Sequence, residues 1–331
     1  MIREQQEQRE RETLSQYACL AAGSRGRLRP EEECPVRTCF QRDVDRIVHS
    51  KSFRRLMHKT QVFLRPEGDH YRTRMTHTLE VTRIARTIAC GLRLNEPLTE
   101  AVALGHDLGH TPFGHAGERL LASLMPGGFR HYEQSLRVVD VLEKDGAGLN
   151  LTHEVRDGIL CHTAGRPAET LEGRIVRLAD RIAYINHDID DAIRAGILRP
   201  EELPADAVAV LGERHSVRIN TLICDVIEHS TDDIRQSETV RAAMDQMHTF
   251  LFRSVYTNSE AKGEEVKAQE LLRRLFEFFM EHTDRLPTDF RRIAEREGRE
   301  RAVCDYIAGM TDNFAMDLYA DIFIPLRWAR K

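Results

Sequence analysis

The sequence predicts an all-α protein with at most one short β-hairpin. Aromatic residues make up only 6% of the 331 residues and there are 11 prolines, so few positions oppose helix formation. Leucine, isoleucine, alanine, arginine and glutamate recur every three or four residues along most of the chain, as on one face of a helix. Since no internal repeat or low-complexity tract is visible, we expect one helical core with a helical C-terminal extension.

The first part of the chain contains little helical periodicity. Residues 1–16 form a dense mixed-charge run, predicted to be a solvated helix or a frayed end, and residues 22–38 have the composition of a loop. Residues 37–65 carry eight Lys and Arg against two Asp, a local balance of +6. A strand pair is predicted at 61–64 and 70–73, because the turn-forming residues 66–69 lie between them.

From residue 79 onward, apolar periodicity predicts a succession of helices. The strongest signal is the stripe of Ile and Leu side chains in 172–195, which Gly196 is well placed to end. A second helix over 97–108 is expected to close at Gly109. Residues 200–216 have loop composition. The other predicted helices cover 79–92, 115–125, 130–144, 152–163, 217–229, 238–254, 262–282 and 299–314.

Charge, hydropathy and cysteine usage exclude several classes of protein. Forty-eight Lys and Arg against 53 Asp and Glu give a net charge of −5, which excludes a generally basic nucleic-acid coat but allows a local basic patch. No run approaches the roughly 18 apolar residues of a membrane helix, and the N-terminus has no signal-peptide pattern. Seven cysteines without a C-x-x-C pair indicate reduced thiols. We therefore expect a cytoplasmic protein without membrane association.

Histidine is the residue type that points to chemistry. Eleven of the 15 histidines lie between His49 and His187, and histidine is the commonest metal ligand. The adjacent pair His106 and Asp107 could flank one ion at a helix end, which Gly109 supplies. The segment 104–115 combines three His and one Asp with three Gly and a Pro. A purely structural helix does not need this mixture.

A second polar pattern lies in the strongest predicted helix. Asp180, Tyr184 and Asp188 follow each other at intervals of four, so they share one face of a helix whose other face is apolar. Such a stripe is typical of a pocket wall. Together with His77, His106 and Asp107, Asp180 would supply two imidazoles and two carboxylates, a donor set that suits Mg, Mn, Fe, Ni or Zn.

The segment 106–118 resembles the HD-domain metal-dependent phosphohydrolases. More closely, the sequence is similar to the deoxyguanosine triphosphate triphosphohydrolase branch, because 45–63, 74–77, 178–191 and 305–312 also match it. The resemblance runs from about residue 24 to near the C-terminus. It implies an N-terminal charged segment and loop over 1–36, an HD-domain helical core over 37–230 and a helical phosphohydrolase-associated region over 231–331.

The resemblance also implies roles for individual residues. It assigns one divalent metal ion per chain to His77, His106, Asp107 and Asp180, and it makes His115 the catalytic histidine with Glu118 as carboxylate partner. That pairing is chemically reasonable because the carboxylate would orient and charge-stabilise the imidazole. Substrate contacts are implied for Arg54, Lys59, Gln61, Arg74, His110, Tyr184 and Asp188, and contacts on the base side for Gln134 and Arg137.

The remaining histidines receive weaker expectations. His187 adjoins Asp188 and is expected to support the ligands from behind. Five others lie near the motifs without a spacing that assigns them a role: His49, His58, His131, His153 and His162. Packing or surface positions are the simplest expectation for His215, His229, His248 and His282.

The activity implied is metal-dependent hydrolysis of a dNTP to a deoxynucleoside and tripolyphosphate, contributing to control of dNTP pools. One alternative is another HD phosphohydrolase, a nucleotidase or phosphodiesterase. Another is a nucleotide-sensing or single-stranded nucleic-acid-binding protein with weak turnover, less favoured because aromatic stacking platforms are scarce in the basic segment. The resemblance further implies a homo-oligomer, a hexamer in many relatives, and a nucleotide activator.

Overall fold

The structure of the protein, a computed structural model, describes residues 1–61, 72–163, 165–254 and 259–325. These residues form α-helices joined by short turns, and none of them belongs to a sheet, which confirms the predicted all-α class. In chain order the helices are α1 Ile2–Thr13, α2 Cys39–Val48, α3 Lys51–Arg55, α4 Arg74–Gly91, α5 Glu96–Gly105, α6 Gly114–Leu124, α7 His131–Arg137, α8 Glu143–Gly146, α9 His153–Cys161, α10 Leu171–Arg194, α11 Ala205–Leu211, α12 His215–His229, α13 Glu238–Ser254, α14 Ser259–Glu281, α15 Thr288–Glu297, α16 Arg299–Ala308 and α17 Asp312–Phe323.

The core is organised around α10. Its predicted apolar stripe is confirmed, since Ile175, Ile182 and Ile189 are fully buried. α10 packs against α4, α5 and α9, and these helices share one apolar cluster. Burial of such side chains at about 25 cal/mol per Å² is the main stabilising contribution to this packing. Gly196 follows the helix with φ +70, a conformation that glycine adopts without steric cost, as predicted.

A second apolar cluster joins the C-terminal helices to α6. Leu120 and Leu121 of α6 pack with Leu272 and Leu275 of α14 and with Val303 of α16. Asp312, the first residue of α17, accepts hydrogen bonds from the backbone N–H groups of Thr60 and Phe113, both at 2.9 Å. The start of α17 therefore holds the loop before α4 and the loop before α6 in place.

Several predicted boundaries differ from the structure. The loop predicted at 200–216 is wrong, because α11 buries Ala207 and Leu211 there. The single helix predicted at 299–314 is also wrong, because it ends at Ala308 and Thr311 starts a new helix by accepting from the N–H of Phe314. The sequence reading missed α2, α3, α15 and most of α17. In α15, Ile293 is the only buried residue, and Phe290 and Ala294 pack against the same cluster.

Two predicted helices are present with different ends, and one bridge of the predicted hairpin is described. The helix expected over 97–108 ends at Gly105, because the chain turns at His106 and approaches α7 so closely that a Cβ on Gly109 would lie 2.1 Å from the backbone N of Ser135. The helix expected over 130–144 continues from α7 through a π-helical turn, Val138–Leu142. Of the predicted hairpin, the described residues contain one isolated bridge between Thr60 and Thr73, and the rest lies outside them.

The N-terminal segment is folded onto the core. α1 forms as predicted and buries no residue. The loop after it is anchored by an ion pair between Arg27 and the fully buried Asp43, and Asp43 also accepts from the backbone N–H of Thr152 at 2.9 Å. No helix in the described parts of the chain is long and apolar enough to cross a membrane.

Candidate metal centre

Three packed elements bring the predicted metal ligands together. His77 lies in the first turn of α4, whose start is fixed by Thr73 accepting from the N–H of Thr76. Asp180 lies in the middle of α10. His106 and Asp107 lie in the turn that follows α5, where neighbouring residues can face one point. Because α4, α5 and α10 pack against one another, the four side chains converge although they span more than a hundred residues.

The distances within this cluster are short. Nε2 of His77 lies 3.0 Å from Oδ1 of Asp180, and Nε2 of His106 lies 3.9 Å from the same oxygen and 3.6 Å from Oδ1 of Asp107. Ligand atoms of His77, His106 and Asp107 all lie within 4.8 Å of one another. Asp180 is the most accessible member, with 21% of its side chain exposed. The cluster is thus buried on three sides and reachable from the side of α10.

The protonation of His106 makes it suitable as a ligand. Its Nδ1 lies 2.6 Å from the carbonyl oxygen of Ala103, so Nδ1 carries the proton and donates it. Its Nε2 then presents a lone pair, and this atom is buried without a hydrogen-bond partner among the described residues. Buried polar atoms are normally paired. An unpaired imidazole nitrogen facing two carboxylates fits a divalent cation.

Arg74 lies against the cluster and shapes its charge. Its guanidinium donates to Oδ2 of Asp107 at 2.7 Å, and both side chains are buried. Burial by itself would raise the pKa of Asp107, but the neighbouring His106 and Arg74 outweigh it and hold that pKa well below its ordinary value. Asp107 is therefore ionised, as a metal ligand must be. The Nε of Arg74 is buried without a partner among the described residues.

A second pair of side chains supports His77 from behind. Nδ1 of His77 lies 3.5 Å from Nδ1 of His187, and Nε2 of His187 lies 2.5 Å from Oε2 of Glu80. Arg72 lies 3.4 Å from that same carboxylate. The series Glu80, His187 and His77 therefore has the arrangement that orients a metal-bound imidazole. The sequence predicted the supporting position of His187, but not the participation of Glu80.

A group of four polar side chains lies next to the cluster, on α6, on α7 and in the turn before α6. Nδ1 of His115 lies 3.3 Å from Oε2 of Glu118, while Oε1 of Glu118 accepts from Nδ1 and from the backbone N–H of His131, both at 2.9 Å. The ring of His131 stacks on that of His110 with centroids 4.6 Å apart. The structure thus brings the predicted pair His115 and Glu118 together and adds His131.

The electrostatics of this group favour an ionised Glu118. Burial raises its pKa, but hydrogen bonds from His115 and His131 outweigh that effect and hold the pKa far below its ordinary value. Burial lowers the pKa of His110 well below its ordinary value, and Arg74 adds to the effect. His110 is therefore neutral, and its Nδ1 is buried without a partner among the described residues. The side chain of His115 is 66% exposed, so its ring is free to contact a bound molecule.

The predicted sugar contacts are two residues of α10, Asp188 and Tyr184, and Gln61, which lies between α3 and α4. Asp188 is 2% exposed, and burial raises its pKa well above the ordinary value. Its carboxylate has no hydrogen bond to any residue that the structure describes. Tyr184 is half-buried and its ring contacts that of His248. Oε1 of Gln61 is buried without a partner among the described residues.

Two other predicted contacts donate to backbone carbonyl groups. Arg54 is exposed on α3 and donates to the carbonyl of His49 at 3.0 Å. Lys59 is buried, and its Nζ donates to the carbonyls of His110 and of Ala308.

The two residues predicted on the base side are engaged by α16. Gln134 donates to Oδ1 of Asp305 at 2.9 Å, and Arg137 forms a bidentate pair with the same carboxylate. The hydrogen-bonding groups of both side chains are therefore directed at α16 rather than at the metal ligands.

His131 and His162 are the polar residues that sequence reasoning passed over. His162 is 2% exposed, and its ring lies edge-on to His106 with centroids 5.0 Å apart. Burial, with help from His106 and His131, lowers the pKa of His162 to about 3, so its ring is neutral. Neither residue has a helical spacing to the ligands that would have revealed it. Only the crowding of histidines pointed to them.

Family models match two parts of the chain. Residues 74–185 match the HD domain and residues 234–321 match the phosphohydrolase-associated domain. All four predicted ligands lie inside the first match. Together with the helical fold and the His and Asp cluster, these matches define the chain as an HD-domain phosphohydrolase.

Curated relatives narrow this class. A deoxyguanosinetriphosphate triphosphohydrolase-like protein of Caldanaerobacter subterraneus is 59% identical, with 99% of this chain and 97% of the relative covered. Proteins of the same description from Desulfatibacillum aliphaticivorans and Clostridium perfringens are 52% and 49% identical, each with 98% of both chains covered. The chain belongs to the deoxyguanosinetriphosphate triphosphohydrolase-like family.

Solved structures agree on the fold. A hypothetical protein of Aquifex aeolicus aligns with a TM-score of 0.50 at 20% identity, covering 83% of this chain and 67% of its own. A phosphohydrolase of Bacteroides thetaiotaomicron aligns with a TM-score of 0.52 at 18% identity, covering 84% of this chain and 68% of its own.

Proposed function

We propose that this protein hydrolyses deoxynucleoside triphosphates at the α-phosphate, releasing a deoxynucleoside and inorganic tripolyphosphate. One observation carries the proposal. Of eleven buried side-chain atoms that lack a hydrogen-bond partner among the described residues, four belong to Gln61, Arg74, His106 and His110. Unpaired buried polar atoms are costly, and their concentration at residues predicted to hold metal and phosphate supports a site built for a polar ligand.

The donor set of the cluster supports one divalent cation per chain. His77, His106, Asp107 and Asp180 would hold it, and nitrogen and oxygen donors of this kind accept Mg, Mn, Fe, Ni or Zn. When bound, the ion supplies Lewis-acid polarisation of an α-phosphate oxygen.

His115 is proposed as the group that moves a proton. Glu118 lies 3.3 Å from Nδ1 of His115, which leaves Nε2 of the largely exposed ring free. A water molecule in line with the 5′ oxygen would transfer its proton to this Nε2 as it attacks the α-phosphorus. The bond between the α-phosphorus and the 5′ oxygen would break, and the 5′ oxygen would take up a proton from the imidazolium or from solvent to give the deoxynucleoside. The ionised Glu118 would stabilise the positive charge that forms on the imidazole.

Cationic and neutral donors would hold the triphosphate. The free Nε of Arg74 and the free Nδ1 of His110 lie beside Asp107 and His131, on the same side as the cluster. Charge-assisted hydrogen bonds to phosphate oxygens are the strong ones, and fixing the substrate in line would supply much of the rate. Lys59 and Arg54 are proposed to contribute positive charge to the same end.

Asp188, Tyr184 and Gln61 are proposed to select the sugar. Asp188 is a buried carboxylate without a donor among the described residues, and it is suited to accept a hydrogen bond from the 3′-hydroxyl. A close fit between Tyr184 and Gln61 would leave no room for a 2′-hydroxyl.

We further propose that the protein is a cytoplasmic homo-oligomer, a hexamer as in many relatives. Its turnover would respond to a nucleotide activator, and its role would be in dNTP pool control. The proposed domain bounds are 1–36, 37–230 and 231–331.

Product analysis tests this proposal directly. Purified protein is incubated with each of the four dNTPs, singly and mixed, and with the matching ribonucleotides, in Mg or Mn. Ion chromatography should find tripolyphosphate and a deoxynucleoside in equal amounts, with ribonucleotides cleaved much more slowly. Release of orthophosphate or pyrophosphate instead would assign the chain to another phosphohydrolase activity, and nucleotide binding without product would assign it to a sensor.

A further inference from the structure

A cavity of about 390 Å³ lies behind the turn that carries the metal ligands. It is bounded by α3, by the segment that follows α7, and by α15 and α16. None of the four predicted metal ligands lines it, whereas Leu108 and Gly109 do, together with Lys59 and Gln134, two of the residues predicted to contact substrate. One turn of backbone therefore has the metal cluster on one side and this cavity on the other.

Two unusual backbone segments line the cavity. Val138–Leu142 form a π-helical turn, a feature frequently found at functional sites. Directly after it, Lys144, Asp145 and Gly146 have φ values of 51, 57 and 96. Two successive residues other than glycine with left-handed backbone are rare, and such strain clusters at ligand clamps and switches. Both segments face the same space, which marks the cavity as more than a packing defect.

The surrounding structure holds the strained turn in place. Glu143 accepts from the backbone N–H of Ser52 at 2.7 Å and from its hydroxyl at 2.6 Å. Lys51 donates to Asp145 at 3.0 Å. These contacts fix the turn to α3, so the wall is formed before any ligand arrives, which lowers the cost of binding.

The charges that remain free in the cavity are positive. Its acidic side chains have partners: Asp145 pairs with Lys51, Glu143 with α3, and Asp305 with Arg137 and Arg301. Asp289 lies 3.9 Å from Arg292.

Two arginines in the cavity, by contrast, have no acidic partner. The guanidinium of Arg55 has no hydrogen-bond or ion-pair partner in the part of the chain that the structure describes. Arg296 meets only the backbone carbonyl of Arg292 there, at 3.4 Å. Two unpaired guanidinium groups at one preformed cavity are suited to bind an anion.

We propose that this cavity is a binding site for a small phosphate-bearing anion, held by Arg55 and Arg296 and separate from the metal cluster. The volume of about 390 Å³ lies within the range of roughly 300–1,000 Å³ for ligand pockets and has room for a pyrophosphate-sized group. Arginine is the side chain best matched to phosphate, because its planar fork donates two hydrogen bonds at once. The site does not depend on the proposed hydrolysis.

Diffraction and calorimetry test the site. Crystals of the full chain are soaked in sodium tungstate, whose anomalous signal should appear in the cavity between Arg55 and Arg296. The metal-loaded protein, in buffer without free divalent cations, is titrated with inorganic pyrophosphate and separately with dAMP. Tighter binding of pyrophosphate would identify a free polyphosphate as the occupant, and tighter binding of dAMP the phosphate of a nucleotide.

Matched variants connect binding to the cavity. Arg55→Gln and Arg296→Gln should each weaken binding about tenfold, since a hydrogen bond to a charged group is lost. Arg291→Gln removes the same charge from α15 at a residue that does not line the cavity, and it should bind as the wild type does. The proposal is overturned if the cavity shows no tungstate signal, or if Arg55→Gln and Arg291→Gln bind pyrophosphate equally. Since no substrate is present, the result is independent of turnover.

Discussion

Nδ1 of His187 lies 3.5 Å from Nδ1 of His77, on the side of that ring opposite to Asp180. The contact leaves Nε2 of His77 directed at the cluster. Because Glu80 lies 2.5 Å from the far nitrogen of His187, one carboxylate can fix the orientation of two imidazole rings in series.

Removing this support should weaken metal binding while the four predicted ligands stay in place. We expect Glu80→Gln and His187→Ala each to lower the affinity for a divalent cation by about 10- to 100-fold, measured by competition with a fluorescent chelator. His215→Ala is the control, since His215 stacks on His187 at 6.4 Å without reaching His77. Unchanged affinity in His187→Ala would disprove the supporting role.

Removing a predicted ligand should have a larger effect. Asp180→Asn keeps the side-chain volume but loses the charge that faces His77 and His106 at 3.0 and 3.9 Å. We expect the affinity for Mn to fall by more than about 100-fold, beyond the range for supporting residues, with the melting temperature as a check on folding. Asp190→Asn, on the same helix but paired with Arg72 and Arg218 instead, should bind metal normally.

The proton-transfer role of His115 can be separated from metal binding. His115→Ala should reduce kcat by about 100- to 10,000-fold, the usual contribution of a general base, while metal content measured by mass spectrometry stays at one ion per chain. His229→Ala, another accessible histidine, on α12, should retain full activity. Near-native turnover of metal-loaded His115→Ala would show that another group takes the proton.

The buried carboxylate of Asp305 should contribute strongly to the stability of the folded protein. It is fully buried and pairs with Arg137 and Arg301. Asp305→Ala leaves both guanidinium groups without it, so we expect a loss of about 3–5 kcal/mol in the free energy of unfolding, measured by urea denaturation. Asp317→Ala, at an exposed position of α17, should change stability by less than about 0.5 kcal/mol.

Because Lys59 is buried, we expect the free energy of unfolding to rise with pH. Burial, with help from Arg55, lowers its pKa from 10.5 to about 7. Between these values the unfolded chain binds more protons than the folded chain, so the free energy of unfolding rises with pH there. Relative to Lys59→Met, the wild type should gain stability from about pH 7 to about pH 10 and show no change below about pH 7. A difference independent of pH would contradict the lowered pKa, and Lys51→Met serves as the exposed control.

Local spacing predicted the parts of the site that depend on one element. Asp180, Tyr184 and Asp188 share a face of α10 because their separation of four residues matches the helical period. The position of His106 and Asp107 at a helix end followed from the glycine three residues later. Their convergence with His77 depends on how three helices pack, and it was predicted through the resemblance rather than through spacing.

What the sequence did not reveal depends on contacts between distant segments. His131 reaches Glu118 across two helices, thirteen residues apart in the chain. Lys59, whose contact with phosphate stays a prediction, donates to carbonyl groups at the end of α16 and in the metal turn, and no local pattern indicated these bonds. α15 is short and mostly polar, and the apolar face formed by Phe290, Ile293 and Ala294 was not recognised as a helix in the sequence. Each of these features is fixed by tertiary packing that overrides local pattern.

The two hydrogen bonds from Thr60 and Phe113 to Asp312 have a consequence for modularity. The stretch that resembles the HD domain contains every expected ligand, yet Phe113 within it and Thr60 before it both donate to the carboxylate of Asp312, which lies 199 and 252 residues further along the chain. A gene fragment limited to that stretch would encode the full ligand set and lose the anchor that holds Phe113 in place. A gene fragment that encodes only the ligands is therefore not sufficient to rebuild this site in another protein. The C-terminal helices have to be transferred together with it.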